Sequence, residues 1–348
     1  MDTFPNSCRG VAFSSNSSCR FQSVKRIRFW IFIAINIAIV GAICPVAVQA
    51  QTTSQPYTFF IGGSRQVAVN IPAGYSKKAP APLLIDLHGY MGSSMSERTF
   101  SRLQAAAAKR LVIYAAPDGT VDANGDKFWN ASTTCCNFYH SKVDDAAFIN
   151  SLIKEISSKV SVDPKRVFIF GHSNGAFMAY KFACTYPKSV AAIAGLAGAM
   201  DINPAVCKSK IPVNVLAIHG TSDEVINFNG GFMYKNPYTS VQQTIGQWLA
   251  IDKCRTPAVM GKPFDIVVDI EGAETTPSVY NCPLSTVELW TVADGLHRPV
   301  LDWSFGNRVI DWFLAHPKKL SHPRNLSEPT APPQPQVIVT VECATVSI

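Results

Sequence analysis

Gly171-His172-Ser173-Asn174-Gly175 decides the reading of this chain. It follows the apolar run Val167-Phe168-Ile169-Phe170 and precedes a stretch, Ala176 to Thr185, that reads as a helix. A serine between glycines on a strand-to-helix turn makes a nucleophile elbow. The turn lifts the hydroxyl clear of the sheet, and the flanking glycines leave room for the neighbouring strand and helix. The N–H of the next residue, Asn174, then points at the oxyanion that forms when Ser173 attacks a carbonyl.

Working outward, apolar strands alternate with helical patterns. Tyr57 to Ile61 and Gln66 to Ile71 flank Gly62-Gly63-Ser64 and read as a hairpin. Leu83–Leu87 and Leu111–Ala115 are strands separated by a single helix expected over Glu97 to Arg110. Val143 to Val160 sets Phe148, Ile149, Leu152, Ile153, Ile156 and Val160 on one helical face, with Asp144 and Asp145 at its positive end. Ala191–Leu196, Val213–Ile218 and Val287–Val292 are further strands, and Trp303 to Ala315 is the closing helix. The alternation predicts an α/β fold, a doubly wound and mostly parallel sheet in one catalytic domain. Near-continuous apolar strands such as 83–87 and 213–218 suit a sheet covered on both faces.

In such sheets reactive residues sit in loops after the carboxyl ends of strands. His219-Gly220-Thr221-Ser222-Asp223 follows one strand, and Ala293-Asp294-Gly295-Leu296-His297 follows another. Ser173, Asp223 and His297 are therefore the expected catalytic set: His297 takes the serine proton, and Asp223 fixes its tautomer and stabilises the imidazolium. Asp223 leads Glu224 and Asp294 as the acid. His172 is read as packing or hydrogen-bonding beside the nucleophile, with a contact to substrate as its second reading. His88 and His219 precede glycines at strand ends and read as loop-shaping. His88-Gly89-Tyr90-Met91-Gly92-Ser93 follows the strand that supplies a second oxyanion donor, expected at the Tyr90 N–H beside that of Asn174. Trp129, Phe128 and Phe138 are candidates for a wall on which a substrate ring or polymer stacks, against the alternative that they anchor core and loop.

The ends carry a different message. Residues 1–50 hold Arg9, Arg20, Lys25, Arg26 and Arg28 against Asp2 alone, so over half of the net charge of +7 lies there. An apolar run from Phe29 to Cys44 and a small-residue stretch ending at Ala50 follow. This pattern reads as a secretory signal peptide cut after Ala50, delivering a secreted or periplasmic protein with no membrane attachment after cleavage. The remaining weakly basic chain gives no case for a nucleic-acid partner, and it sets no oligomeric state. The catalytic domain is expected over 51–316, and 317–348 reads as a Pro-rich tail. Of the ten cysteines, seven follow residue 50, and no spacing suggests a metal site. Cys184–Cys207 and Cys254–Cys282 are expected disulfides; Cys135-Cys136 forms a vicinal bridge or splits between partners.

Together these pieces resemble a group of secreted esterases that includes polyhydroxybutyrate depolymerases, feruloyl esterases and acetylxylan esterases, within the α/β-hydrolase superfamily. The matching residues are Leu87-His88-Gly89, Trp129-Asn130 with Cys135-Cys136, Val143-Asp144-Asp145, Val162-Asp163-Pro164 with Arg166-Val167, the elbow, and His219 to Asp223. The resemblance implies an α/β-hydrolase fold and a serine carboxyl-ester hydrolase without cofactor, acting on a polyester or an esterified polysaccharide through Ser173, Asp223 and His297. One departure is the Asp294-Gly295-Leu296-His297-Arg298-Pro299 segment, which lacks the aromatic that relatives carry just after the histidine. An acyltransferase on the same scaffold, or an exported binding module without catalysis, is the alternative.

Overall fold

The apolar runs that alternate through the sequence pair into one sheet. The structure is a computed structural model and describes residues 54–319 apart from residue 133. The expected signal segment, most of the expected tail, and Cys343 lie outside the described residues. Lys318, at the start of that tail, is still fastened to the domain: its N–H donates to the Lys165 carbonyl and its ammonium to that of Val190.

In chain order the elements are β1 (Tyr57–Ile61), β2 (Val67–Ile71), β3 (Ala81–Leu87), α1 (Ser94–Ser101), α2 (Leu103–Lys109) and β4 (Ile113–Ala115). A small ribbon of β5 (Thr120–Val121) and β6 (Lys127–Phe128) precedes α3 (Asp145–Lys159). Then come β7 (Val162–His172), α4 (Asn174–Thr185), β8 (Ala192–Leu196) and β9 (Asn214–Gly220). A second ribbon, β10 (Gly231–Met233) and β11 (Asn236–Tyr238), leads to α5 (Val241–Asp252), β12 (Val259–Met260), β13 (Thr275–Asn281), β14 (Thr286–Val292) and α6 (Trp303–Ala315).

The main sheet has ten strands in the order β1-β2-β4-β3-β7-β8-β9-β14-β13-β12. From β4 to β14 every neighbouring pair is parallel, and both flanks are antiparallel. Side chains alternate across the pleat, which divides the interior into two layers. Leu83, Ile85, Ile169, Ile193 and Val215 face one way, with Ile149 of α3, Phe177 of α4 and Ile245 of α5. Leu84, Phe168, Phe170, Leu216 and Ile218 face the other, with Leu103 of α2 and Phe305 of α6. The stack of Phe168 on Phe313, with centroids 4.9 Å apart, closes that second layer. Each large apolar side chain so buried contributes roughly 1.5–3 kcal/mol of transfer free energy.

One expectation changes, and two elements join those expected. The helix expected over Glu97 to Arg110 is two, because Arg102 adopts a left-handed φ of 55° between α1 and α2. Its guanidinium donates to the Leu301 carbonyl (3.2 Å) and lies 4.2 Å from the Trp303 ring, contacts that hold the break in place. The helix α5 and the antiparallel strand β13 had no counterpart in the reading of the sequence. The closing helix and the opening hairpin stand where they were expected. Disulfides join Cys184 to Cys207 and Cys254 to Cys282, and Cys135 pairs with Cys136.

Candidate active site

The elbow forms where β7 runs into α4. Ser173 adopts φ 53° and ψ −121°, a backbone conformation that non-glycine residues rarely take, and its N–H donates to the Leu196 carbonyl of neighbouring β8 (2.8 Å). Small flanking residues are obligatory. A Cβ on Gly171 would fall on the Gly175 carbonyl, and one on Gly175 would fall on that of Leu87.

Two loops after neighbouring parallel strands meet this hydroxyl. His297, beyond β14, has its Nε2 3.0 Å from Ser173 Oγ, and its Nδ1 lies 3.0 Å from both carboxylate oxygens of Asp223, beyond β9. A carboxylate only accepts, so Nδ1 carries the proton and Nε2 is free to accept from the serine. Asp223 is buried, and three further partners satisfy it. The Val225 and Ile226 N–H groups donate to Oδ1 at 2.9 and 2.8 Å, and His219 Nε2 lies 3.2 Å from Oδ2 while also donating to the Ile226 carbonyl. Burial alone would raise the pKa of Asp223. The hydrogen bonds and charges of His219 and His297 outweigh it and hold the carboxyl well below the usual carboxylate range. An aspartate kept ionised in this way can orient the imidazole and stabilise its protonated form.

The oxyanion loop approaches closely: a Cβ on Gly89 would sit 3.2 Å from both Ser173 Cβ and His172 Nδ1. Among the described residues, neither the Tyr90 N–H nor the Asn174 N–H has a protein partner, which leaves both available to an incoming oxygen. Asn174 is also the first residue of α4, where the helix dipole favours negative charge. Its side chain grips the Trp129 backbone twice, accepting from the N–H at 2.6 Å and donating to the carbonyl at 3.0 Å. His88 shapes the loop: Nδ1 donates to the Gly89 carbonyl (2.7 Å) and Nε2 accepts from the Gly119 N–H (2.8 Å). Burial lowers its pKa, in keeping with a neutral ring that does both.

The stacking wall is corrected. Trp129 and Phe128 are completely buried, and the Trp129 indole N–H donates to the His88 carbonyl (2.9 Å), so neither ring offers a face to a ligand. Their size placed them in the core, under the oxyanion loop. Phe138 alone of the three is partly exposed. It meets Tyr90 edge-on at 5.3 Å and Tyr234 at 5.1 Å, and that aromatic row leads from the oxyanion loop into a cleft of about 880 Å³. Asn137, Lys142, Lys181, Tyr234 and Asn236 line the cleft, with Tyr234 82% exposed. Ser173 is not one of its walls. His172 is also buried; its Nε2 lies 3.1 Å from the His297 carbonyl oxygen, which leaves it no face for substrate. The second imidazole beside Asp223 is His219, four residues before it in the chain, which both shapes the loop through the Ile226 carbonyl and meets the carboxylate. Among the described residues, no cluster of His, Cys, Asp and Glu could hold a metal ion, and no helix is long and apolar enough to cross a membrane.

A parallel sheet wound by helices on both faces, with a strained serine at a strand-to-helix turn, defines the α/β-hydrolase class. Residues 74–248, half of the chain, match the family model described as Phospholipase/Carboxylesterase. The chain belongs to that family. Feruloyl esterase B of Piromyces equi is 32% identical over 200 residues, which cover 55% of this chain and 36% of that protein. Feruloyl esterase C of Emericella nidulans is 26% identical over 182 residues, 51% of this chain and 61% of that one. The chain thus matches between about a third and three fifths of the length of these relatives. The acetyl xylan esterase from Aspergillus awamori superposes with a TM-score of 0.56 at 15% identity, over 75% of this chain and 99% of that structure, which supports the fold.

Proposed function

We propose that the chain is a secreted serine esterase that cleaves carboxylic esters carried on polysaccharide, of the feruloyl or acetyl kind, through an acyl-enzyme. The observation that carries this reading is the hydrogen-bonded row Ser173–His297–Asp223, with the serine on a left-handed turn. Ser173 Oγ attacks the ester carbonyl carbon as its proton passes to His297 Nε2, and the carbonyl oxygen becomes an oxyanion facing the Tyr90 and Asn174 N–H groups. Collapse breaks the bond to the leaving oxygen, which takes the proton from His297 and departs as the alcohol. Water then repeats the sequence on the acyl-enzyme and releases the acid and Ser173.

The polysaccharide side of the reading draws on the names of the relatives and on the cleft beside the oxyanion loop. An exposed tyrosine, planar amides and lysines suit a hydroxyl-rich chain better than a wholly apolar one. The basic and apolar leader, together with the disulfides, supports export into an oxidising compartment.

The test is a substrate panel: short p-nitrophenyl esters, methyl ferulate, acetylated xylan and a hydroxybutyrate oligomer, each with wild type and with Ser173→Ala. Serine-dependent release, fastest from ferulate or acetylated xylan, is the expected result, with the variant slower by roughly 10³-fold or more. Preference for the hydroxybutyrate oligomer would replace polysaccharide with polyester. Product transferred to an added alcohol in place of water would make the protein an acyltransferase. Silence on every ester from folded protein removes the enzymatic reading.

A further inference from the structure

We infer that His172 is a positioning residue that holds the His297 backbone, so that the His297 ring stays aligned between Ser173 and Asp223; the inference rests on the esterase reading above. His172 Nε2 lies 3.1 Å from the His297 carbonyl oxygen. A carbonyl can only accept, so Nε2 must carry the proton; a neutral ring protonated there is a donor with no charge to desolvate. Its surroundings favour that state. Burial, and then the nearby His297, push its pKa down to about 3, so the ring keeps a single proton throughout the range in which an esterase works.

The segment that carries His297 needs such a hold. It lies in no helix or strand, and Leu296 and Arg298 on either side are exposed. The turn before it is tied to the loop of the acid, through Ser222 N–H to the Gly295 carbonyl and Asp294 N–H to Thr221 Oγ1. The His297 N–H itself reaches Glu224 Oε2 at 3.3 Å. All three contacts fix the base relative to Asp223. Among the described residues, the hydrogen bond from His172 is what ties the His297 backbone to the strand that bears the nucleophile. His172 is the last residue of β7, directly before Ser173, so a rigid element sets both ends of the serine–imidazole contact. Its ring is braced in turn: Phe100 of α1 lies 4.7 Å away, and the Arg298 guanidinium lies 5.0 Å from Phe100. A base misplaced by about 1 Å can cost on the order of 100-fold in rate, so one hydrogen bond to a loop carbonyl has kinetic leverage.

The experiment pairs kinetics with NMR of nitrogen-15-labelled histidines. In folded His172→Phe, which keeps a ring and loses the donor, kcat on p-nitrophenyl acetate should fall between roughly 10- and 100-fold, with KM within about twofold. His172→Gln, whose amide nitrogen can reach the same carbonyl, should recover most of the loss. An unchanged kcat in His172→Phe, or no recovery in folded His172→Gln, overturns the inference. The NMR arm needs neither turnover nor a variant. In the wild-type protein His172 should titrate as a neutral ring protonated at Nε2, and finding the proton on Nδ1 overturns the inference even if the protein cleaves no ester. Loss of turnover on every substrate with the His172 Nε2 proton in place would strike only the esterase reading.

Discussion

Asp223 accepts hydrogen bonds from two imidazoles and two backbone N–H groups, an unusual concentration on one buried carboxylate. Folding strengthens its acidity, so its contribution to stability is fully present above the unfolded pKa near ~3.9 and is lost as pH falls toward the lower folded value. Asp223→Asn should therefore show its whole stability deficit near neutral pH and a shrinking one below about pH 4. Urea unfolding across that range checks the sign, and a deficit that widens on acidification contradicts it. The same variant presents the wrong hydrogen-bond partner to His297, and kcat should drop by roughly 10⁴. Asp86, buried behind the site between Tyr114 and Ser101, carries the opposite sign. Burial pushes its pKa up to about 6 against the pull of those two hydroxyls, so its favourable contribution is present below about pH 3.9 and lost as pH rises through 6.

Among elements, α3 shows how a helix start braces the loop beside the site. Asp144 caps it, accepting from the Ala147 N–H, while Asp145 in its first turn is buried against Arg65 (2.7 Å), Thr120 and the Asn130 N–H (2.8 Å). The Arg65 guanidinium also lies 3.7 Å from the Phe148 ring. Removing the acid strands a half-buried cation and frees the segment that follows Trp129. Asp145→Ala should lower stability by about 3 kcal/mol, and because Asn130 borders the cleft it should raise KM for a polysaccharide ester more than for p-nitrophenyl acetate. Calorimetry and paired kinetics test the two halves, and an unchanged KM ratio would separate the loop from substrate binding. How far elements were legible follows the same physics. β3, β7 and β9 are buried on both faces, so their apolar runs announce them. β13 mixes Thr, Pro, Ser and Tyr and is mostly half-buried on the antiparallel flank, so its sequence carried no run to recognise. α5 carries a local signal in its sequence, the capping box of Ser240 with Gln243. The break at Arg102 was hidden because an alanine-rich stretch favours helix locally, and only contacts with Leu301 and Trp303, some two hundred residues away, favour the turn. At the site, the strand ends pointed to Ser173, Asp223 and His297, which the fold brings within hydrogen-bond reach of one another. The burial of Trp129 could not, since a tryptophan in a loop looks the same whether it faces a ligand or the core.

At the scale of the molecule, two of the disulfides fasten loops around the carboxyl half. Cys184–Cys207 ties the end of α4 to the segment before β9 across 23 residues, and Cys254–Cys282 spans 28 between α5 and the end of β13. Loops of this length predict roughly 2–4 kcal/mol each from restriction of the unfolded chain. Replacing Cys184 and Cys207 together by serine should lower the unfolding midpoint accordingly while leaving kcat within about threefold, because neither residue touches the triad. Equal midpoints for the two proteins would remove the bridge as a source of stability. The order β7-β8-β9-β14 has a consequence for when such a protein becomes dangerous to esters around it. Its proposed nucleophile and base are 124 residues apart in the chain and meet only once β14 has docked beside β9. On the proposed reading, a nascent chain that has not finished its sheet carries an unarmed serine. The strand order thus makes assembly of the proposed triad the same event as completion of the sheet.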